Sequence, residues 1–308
     1  MPFFSVIIPL YNKEKFIENT LHSVLNQTFT DFEVIIVNDG STDKSEEKVL
    51  GFNDPRIHYY SKQNEGVSVA RNLGIEKANS NYITFIDADD YWYPSFLNEM
   101  HINSNSFPEQ KVFAAAVEIE TIKNVIPAQY SVLKMHECQI VDYFDASFKM
   151  TIICTSCAVF HKSIFEEIGN FDINIRSGQD TDLWIRIGLK KPVVFSSKIL
   201  ARYVYDHESL SKQAEYFSTK IDFAKFAEVE KSNSKLKKFL DYNRFSSAIK
   251  CKMIGDEQNF KHFYKAIDLK NLTKKKIFLL QLPSVFLKAL LKVNLLLVRV
   301  GLSNSVFR

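Results

Sequence analysis

Three carboxylates stand within four residues at Asp87-Ala88-Asp89-Asp90, directly after an apolar stretch of the chain. At neutral pH these groups repel one another, so a cation or solvent must offset their charge. Mg²⁺ and Mn²⁺ prefer such oxygen ligands, and an ion held by one or two carboxylates can bind substrate phosphates at its remaining positions. A solvated acidic turn that caps a helix near Pro94 has the same composition. The segment alone therefore leaves two interpretations open, a divalent-cation site and a structural turn.

The elements before this turn alternate short apolar runs with helical patterns, as in a parallel sheet with crossover helices. Strands are expected at residues 5–10, 32–37, 57–61 and 82–86, and helices at residues 13–26 and 67–78. The second strand runs into Asn38-Asp39-Gly40-Ser41, and the fourth runs into the three carboxylates. Polar residues thus collect at the carboxyl edge of a predicted α/β sheet, where ligands bind in open α/β folds.

The residue pattern of the chain becomes less regular beyond residue 111, and its composition changes near residue 211. A strand is expected at residues 112–119, another apolar run at 151–160, and a helical pattern within 172–190. After Ser211 the sequence is lysine-rich and helical, with few glycines and prolines. We therefore expect one domain over residues 1–211 and a basic helical region over residues 212–308.

The charge of the chain follows the same division. The formal net charge is +3, but residues 1–211 hold 19 Lys/Arg against 28 Asp/Glu, and residues 212–308 hold 20 against 8. No signal sequence, disulfide pattern or long uncharged apolar segment is evident, which predicts a cytoplasmic chain without a transmembrane helix. The basic part lacks an aromatic platform or zinc spacing, so nucleic acid is not an expected partner.

Two further patterns limit the possible chemistry. Cys154-Thr155-Ser156-Cys157 has the spacing of a redox pair or half a zinc site, but it has no second pair and lies in an apolar run, which favours a structural role. The chain has neither G-x-G-x-x-G after its first strand nor G-x-x-x-x-G-K-[ST]. Dinucleotide and P-loop enzymes are therefore disfavoured.

The tail of the chain combines lysines with a broad apolar surface. Lys274-Lys275-Lys276 precede a predicted helix over residues 284–300. On a helical projection Lys292 and Arg299 lie about 40° and 20° from Lys288, so the three form one basic stripe beside an apolar face. That pattern is typical of a helix lying on an anionic membrane surface. The alternative is a helix packed on its own protein with a solvated basic edge.

Seven motifs over residues 3–211 resemble, in order and spacing, those of family 2 glycosyltransferases. They are Ser5-Val6-Ile7-Ile8-Pro9-Leu10-Tyr11-Asn12, Val34-Ile35-Ile36-Val37-Asn38-Asp39-Gly40-Ser41-Thr42-Asp43, Asn64-Glu65-Gly66 with Ala70-Arg71-Asn72, Phe85-Ile86-Asp87-Ala88-Asp89-Asp90, Gly169-Asn170-Phe171-Asp172, Gly178-Gln179-Asp180-Thr181-Asp182-Leu183-Trp184 and Tyr205-Asp206-His207-Glu208-Ser209-Leu210-Ser211. The resemblance implies a GT-A fold, which is Rossmann-like with a mostly parallel central sheet, and an inverting enzyme that uses a nucleotide-sugar donor.

The resemblance assigns one group of residues to the donor. Asp39 would accept a hydrogen bond from the imide N–H of a base, which favours uracil and hence a UDP-sugar. Asp87 would contact ribose or sugar hydroxyls, and Asp89 would be the principal ligand of Mn²⁺ or Mg²⁺. The full group implied for the nucleotide-sugar is Pro9, Tyr11, Asp39, Asn64, Arg71, Asp87, Ala88 and Asp89.

A second group is assigned to the metal, the proton transfer and the acceptor. His207 would complete the metal site or donate to the diphosphate. Asp180 would be the catalytic base that takes a proton from the acceptor hydroxyl. Gln179 replaces the usual Glu of this motif, so its role in acceptor recognition differs or is limited to hydrogen bonding. Trp184 is either a platform for an acceptor sugar or a core residue, and Asp182 competes weakly with Asp180.

The expected function is the transfer of a sugar from a UDP-sugar to a hydroxyl of a glycan or lipid-linked saccharide. The expected setting is bacterial surface-polysaccharide synthesis at the inner face of the cytoplasmic membrane. The alternatives are a nucleotide-sugar-binding or assembly subunit with weak catalysis, and a sugar nucleotidyltransferase. The sequence specifies neither the donor sugar nor the linkage.

Overall fold

The computed structural model describes residues 1–120, 124–132, 136–204 and 221–299, without the side chains of residues 291, 292 and 294–299. These residues form one ten-stranded sheet with helices on both faces. The strands are β1 (Phe4–Leu10), β2 (Phe32–Asn38), β3 (Ile57–Ser61), β4 (Tyr82–Phe85), β5 (Tyr91–Trp92), β6 (Val112–Glu120), β7 (Val125–Pro127), β8 (Cys138–Val141), β9 (Ala158–His161) and β10 (Val193–Val204). The helices are α1 (Ile17–Leu25), α2 (Ser45–Leu50), α3 (Val67–Lys77), α4 (Phe96–Ser106), α5 (Tyr143–Ala146), α6 (Ser163–Ile168), α7 (Gln179–Gly188), α8 (Ala227–Ser232), α9 (Ser234–Ile254), α10 (Glu257–Ala266), α11 (Lys274–Gln281) and α12 (Ser284–Arg299).

The first half of the sheet is parallel, in the order β3-β2-β1-β4. Strand β1 is buried throughout because it has helices on both faces: Val6 and Ile8 pack with α1, and Ile7 packs with α3. Helix α3 comes so close that a Cβ on Gly74 would lie 2.4 Å from Ile7 Cγ2. The four predicted strands and both predicted helices of this half are confirmed, with small shifts at their ends.

The second half of the sheet is mixed. Strand β9 lies antiparallel between β4 and β6, and β10 runs parallel to β6 while pairing antiparallel with β5 and β8. The sequence had indicated no strand at β10. Its pairing with β6 shifts register between Ser196 and Ile199 and again before Ala201, so apolar and polar residues do not alternate regularly along it.

Helix α9 packs on the sheet domain through α5, and α8, α10, α11 and α12 pack on α9. Phe239 of α9 contacts Tyr143 and Phe144 of α5, with ring centroids 5.4 and 5.5 Å apart. Residues of α9 and of the sheet belong to one hydrophobic core. An α/β fold with a helical C-terminal region is therefore confirmed, whereas the predicted boundary between residues 211 and 212 lies outside the described residues. None of the helices in the described ranges combines the length and the apolar composition that a membrane span requires.

Candidate active site

The carboxyl ends of β1, β2 and β4 gather the residues expected to bind the donor. Pro9 is buried near the end of β1, and Tyr11 follows the strand with its side chain exposed. Asp39 follows β2, and the carboxylates of Asp87 and Asp89 follow β4. Because these parallel strands are neighbours, they end at the same edge of the sheet.

Asp39 holds the loop that contains Asn64. Its Oδ1 accepts hydrogen bonds from Lys62 Nζ at 2.7 Å and from the Glu65 amide at 3.0 Å, and its Oδ2 accepts from the Gly66 amide at 2.8 Å. Asn64 is exposed on this loop. The loop passes so close to Gly40 that a Cβ there would lie 2.9 Å from the Asn64 backbone nitrogen. Asp39 is thus a buried carboxylate that fixes the wall of the predicted base pocket.

Arg71 of α3 reaches the carboxylate turn from one side. Its side chain is only 4% exposed, and its Nη2 donates to Asp87 Oδ1 at 2.6 Å. The guanidinium lies over the ring of Phe171, 5.2 Å from the centroid. Its Nε and Nη1 are buried without a hydrogen-bond partner in the described residues. Two unsatisfied donors beside Asp87 suit an anionic ligand such as a diphosphate.

Lys13 reaches the same turn from the other side. Its ammonium lies 2.6 Å from Asp89 Oδ2. Burial raises the pKa of the Asp89 carboxyl above its usual value, Lys13 opposes that rise, and the nearby Asp87 adds to it. Each of the two carboxylates assigned to the donor and metal therefore faces its own cationic side chain.

Asp90 points inward and is not available as a ligand. It is 2% exposed, its Oδ2 accepts from Ser156 Oγ at 2.5 Å, and its Oδ1 accepts from the Val204 amide at 3.0 Å. Burial, together with Asp89 and Asp87, raises its pKa well above the usual range. The buried Ala88 lies between these carboxylates, and its carbonyl accepts from Thr20 Oγ1. Asp90 thus anchors the turn to the end of β10.

The second predicted group centres on α7. Gly178 precedes the helix with φ of 84°, in the left-handed region that favours glycine, and places Gln179 and Asp180 in the first helical turn. Asp180 is half-buried, and its Oδ1 accepts from the Thr181 amide. Asp182 is fully buried and paired with Arg186 and Lys225, which excludes it as the base. Gln179 Oε1 is buried without a partner in the described residues.

Trp184 is a core residue, so its interpretation as an acceptor platform is wrong. The side chain is 2% exposed and stacks on Phe160 of β9, with centroids 5.2 Å apart and planes at 5°. It also makes an edge contact with Phe171. The helical spacing of α7 turns Trp184 towards the sheet together with Leu183 and Ile187, and no surface remains for a sugar.

The residues present can be compared with the needs of a divalent cation. Asp87 and Asp89 supply hard oxygen ligands beside an expected diphosphate site, a donor set that suits Mg²⁺ or Mn²⁺ when substrate supplies further oxygens. No group of three or more His, Cys, Asp or Glu side chains forms a metal cluster in the part of the chain described. His207, the other expected ligand, lies outside the described residues.

Several residues at this edge had no role in the sequence prediction. Lys13 and Lys62 pair with Asp89 and Asp39, and Ser156 holds Asp90. The Ser156 hydroxyl also accepts from the Asp87 amide at 3.1 Å. Lys13 stands next to Tyr11-Asn12 in the first motif, so proximity in sequence was a usable signal, whereas Ser156 gave none.

The cysteine turn that contains Ser156 is structural, as expected. Cys154 and Cys157 are free thiols, and the Cys154 amide donates to Cys157 Sγ at 3.3 Å. The contact with Cys157 and burial raise the pKa of Cys154 well above its usual value. A thiol with a raised pKa is a poor nucleophile.

Comparison of sequences identifies the family. The model for glycosyl transferase family 2 matches residues 5–169. An uncharacterized glycosyltransferase of Rickettsia bellii is 34% identical over 212 residues, which cover 64% of this chain and 28% of that protein. EpsJ of Bacillus subtilis, also an uncharacterized glycosyltransferase, is 46% identical over 93 residues, which cover 30% of this chain and 27% of EpsJ. The chain thus spans less than a third of the length of these relatives.

Comparison of structures agrees with this result. Residues 1–349 of TarS from Staphylococcus aureus, solved in complex with UDP-GlcNAc, match with a TM-score of 0.71 and 20% identity over 87% of this chain and 82% of that one. A complex of the same TarS fragment with UDP matches with a TM-score of 0.59 and 18% identity, over 86% of both chains. At this identity the match concerns the fold, which is the expected GT-A fold. The chain belongs to glycosyltransferase family 2.

Proposed function

We propose that this glycosyltransferase moves a sugar from a UDP-sugar to an acceptor hydroxyl with inversion at the anomeric carbon. The observation that carries the proposal is the convergence of Asp39, Arg71, Asp87 and Asp89 on one edge of the sheet. These four side chains provide an acceptor for a base N–H, buried cationic donors for phosphate, and two carboxylates. The binding of UDP and UDP-GlcNAc by TarS, a protein of the same fold, favours uracil as the base.

The reaction joins the acceptor oxygen to the anomeric carbon as the bond from that carbon to the diphosphate breaks. Asp180 accepts the proton of the acceptor hydroxyl, so the oxygen attacks with increasing negative charge from the face opposite UDP. Arg71 stabilises the departing diphosphate through the guanidinium nitrogens that have no partner in the described residues. No covalent intermediate is needed, because one base and one stabilised leaving group are sufficient.

A divalent cation fits the same site as an expected cofactor. Asp89 would be its principal protein ligand, with Asp87 on the sugar or ribose hydroxyls and His207 as a further ligand. When bound, Mn²⁺ or Mg²⁺ supplies positive charge to the leaving diphosphate. The other carboxylate of the motif, Asp90, holds the turn in place through Ser156 and Val204.

The acceptor is proposed to be a glycan or a lipid-linked saccharide. The buried oxygen of Gln179, which lacks a partner in the described residues, stands next to Asp180 and can accept a hydrogen bond from an acceptor hydroxyl. The donor sugar would be a hexose or an N-acetylhexosamine, and the reaction would contribute to surface-polysaccharide synthesis.

The proposed location is the inner face of the cytoplasmic membrane, to which the protein attaches peripherally. Helices α11 and α12 carry exposed apolar side chains next to lysines, and we call this surface the tail face. Its apolar members are Phe278, Val285, Phe286, Leu290 and Val293. Of the basic stripe expected at Lys288, Lys292 and Arg299, the structure describes the side chain of Lys288, which is exposed.

A donor screen tests the proposal. Thermal unfolding is measured across UDP-, GDP- and dTDP-sugars with Mn²⁺ or EDTA, because a ligand that binds the folded state raises the melting temperature. The donor selected is then assayed for release of UDP with saccharide acceptors. We expect UDP release that requires Mn²⁺ or Mg²⁺. UDP binding without transfer or donor hydrolysis would instead indicate a binding subunit, and pyrophosphate release from a triphosphate would indicate a nucleotidyltransferase.

A further inference from the structure

The ammonium of Lys13 lies on the carboxylate at which the proposed metal ion would bind. Lys13 Nζ lies 2.6 Å from Asp89 Oδ2, and Asp89 is the carboxylate proposed above as the principal metal ligand. A divalent cation on that oxygen and a lysine ammonium within hydrogen-bond distance of it repel each other. The two cations therefore compete for Asp89 Oδ2 as it stands in this structure.

The backbone of Lys13 is firmly held, so the side chain starts from a fixed point. The Lys13 amide donates to Ser45 Oγ at 2.8 Å, and its carbonyl accepts from the amides of Phe16 and Ile17 at 3.0 Å. The ammonium lies 5.5 Å from the centre of the Phe16 ring. These contacts direct the stem of Lys13 towards the carboxylate turn from the β1 end.

Of the two cations at the turn, Lys13 is the one that can move. Arg71 is almost fully buried, packs over the ring of Phe171 and is bound to Asp87. Lys13 is half-buried, and a lysine ammonium is a compact charge on a flexible four-carbon stem that exchanges partners easily. Displacement by an arriving ion is therefore far easier for Lys13 than for Arg71.

We propose that Lys13 is an internal cation that neutralises Asp89 in the metal-free protein and competes with the divalent cation for this carboxylate. The inference rests on the metal site of the proposed function. It makes Lys13 a positioning residue that sets the metal concentration the protein requires. Neutralisation by Lys13 also keeps the adjoining carboxylates of Asp87 and Asp89 from repelling each other before the metal binds.

Substitution of Lys13 separates competition from simple loss of a contact. Mn²⁺ is titrated into the protein and its unbound fraction is followed by electron paramagnetic resonance, with and without UDP. Lys13→Met keeps the apolar stem and removes the charge, so we expect the half-saturating Mn²⁺ concentration to fall about fivefold, the scale of a partly exposed ion pair. Lys13→Arg should restore the wild-type concentration or raise it. Lys15→Met is the control, because Lys15 is an exposed lysine two residues away.

Each result decides the inference. An unchanged or raised half-saturating concentration in Lys13→Met, or no Mn²⁺ binding by any variant with or without UDP, overturns it. Asp89→Asn should remove the difference between the Lys13 variants, and a difference that persists in this background also overturns it. If Lys13→Met does not fold, Lys13→Gln takes its place. A protein that binds Mn²⁺ competitively but transfers no sugar would refute the proposed function and leave the role of Lys13 standing.

Discussion

The side chain of Asn72 exchanges two hydrogen bonds with the backbone of Phe171, although 99 residues separate them. Asn72 Nδ2 donates to the Phe171 carbonyl at 2.9 Å, and the Phe171 amide donates to Asn72 Oδ1 at 3.0 Å. The pair joins α3, which carries Arg71, to the segment that leads into α7 and Asp180. The Phe171 ring in turn contacts both Arg71 and Trp184. The side of the candidate site that carries Arg71 and the side that carries Asp180 are thus joined through Asn72 and Phe171.

Replacement of Asn72 by alanine should therefore affect both stability and catalysis. The variant leaves the amide and carbonyl of Phe171 without these partners, and we expect the free energy of unfolding to fall by about 1–3 kcal/mol. The measurement is urea unfolding together with UDP binding and transfer rate. Asn105→Ala on the exposed face of α4 is the matched control. A variant with wild-type stability and rate would show that the link is dispensable.

Asp180→Asn should abolish most of the transfer while leaving the donor bound. The amide cannot accept the hydroxyl proton, so we expect the rate to fall by about two or more orders of magnitude. The affinity for UDP should not change, because Asp180 is not among the donor residues. The assay is UDP release under saturating donor, with calorimetry for binding. Normal turnover would exclude Asp180 as the base.

Asp182→Asn on the same helix gives the contrasting result. Asp182 is buried and pairs with Arg186 and Lys225, so its loss takes a carboxylate from both cations, although Lys225 keeps Asp172 at 3.6 Å. We expect a loss of roughly 2 kcal/mol in the free energy of unfolding, below that of a fully buried pair because both partners are partly exposed. The rate per folded molecule should stay within a few-fold of wild type.

Asp39→Ala should weaken the binding of UDP and lower its preference over CDP. Asp39 is the expected acceptor for the uracil N–H, and it also holds the amides of Glu65 and Gly66. Loss of a charged acceptor in a buried site predicts at least about a tenfold loss of affinity. Calorimetry with UDP and CDP measures both effects, and Asp31→Ala, at an exposed residue just before β2, is the control. Equal affinity for UDP in the variant and the wild type would contradict the base-pocket assignment.

Ser156→Ala should loosen the turn that holds Asp87, Asp89 and Asp90. The hydroxyl donates to Asp90 and accepts from the Asp87 amide, and both groups lose this partner in the variant. We expect a loss of about 1–3 kcal/mol in unfolding free energy and a weaker response to Mn²⁺, since Asp87 and Asp89 are no longer fixed. Ser106→Ala on an exposed helix end is the control for both readouts. An unchanged Mn²⁺ dependence would mean that Ser156 supports the fold alone.

The sequence predicted those parts of the fold and of the site that are encoded by neighbouring residues. The apolar runs of β1, β2 and β4 and the polar turns after them are local signals, so the sheet edge and its carboxylates could be predicted. The pairings of Lys13 with Asp89 and of Ser156 with Asp90 join residues 76 and 66 positions apart, and no local pattern encodes them. Strand β10 was missed because its register shifts interrupt the alternation. Trp184 was ambiguous because an aromatic residue on a helix suits a core as well as a binding surface.

The tail face should bind anionic vesicles. Val285 and Phe286 are 72% and 59% exposed on α12, while Leu287 between this face and α9 is fully buried, so the helix packs one side and presents another apolar side. Exposed apolar side chains beside Lys274, Lys275 and Lys288 match the interior and the head groups of an anionic bilayer surface. We expect co-sedimentation with vesicles that contain phosphatidylglycerol, weaker binding in high salt, and little binding to phosphatidylcholine alone.

Variants of the tail face distinguish this attachment from non-specific adsorption of exposed apolar side chains to vesicles. Changing Val285, Phe286 and Val293 together to Ser removes three of the five apolar side chains of the tail face without altering charge, and vesicle affinity should fall by about tenfold or more. The matched control changes Ile102 and Ile173, which are exposed on the sheet domain, to Ser. Both variants should keep the wild-type transfer rate on soluble acceptors. Equal vesicle binding by the two variants, or none by the wild type, would remove the membrane from the proposed function, because the apolar face would then have to be covered by another protein surface.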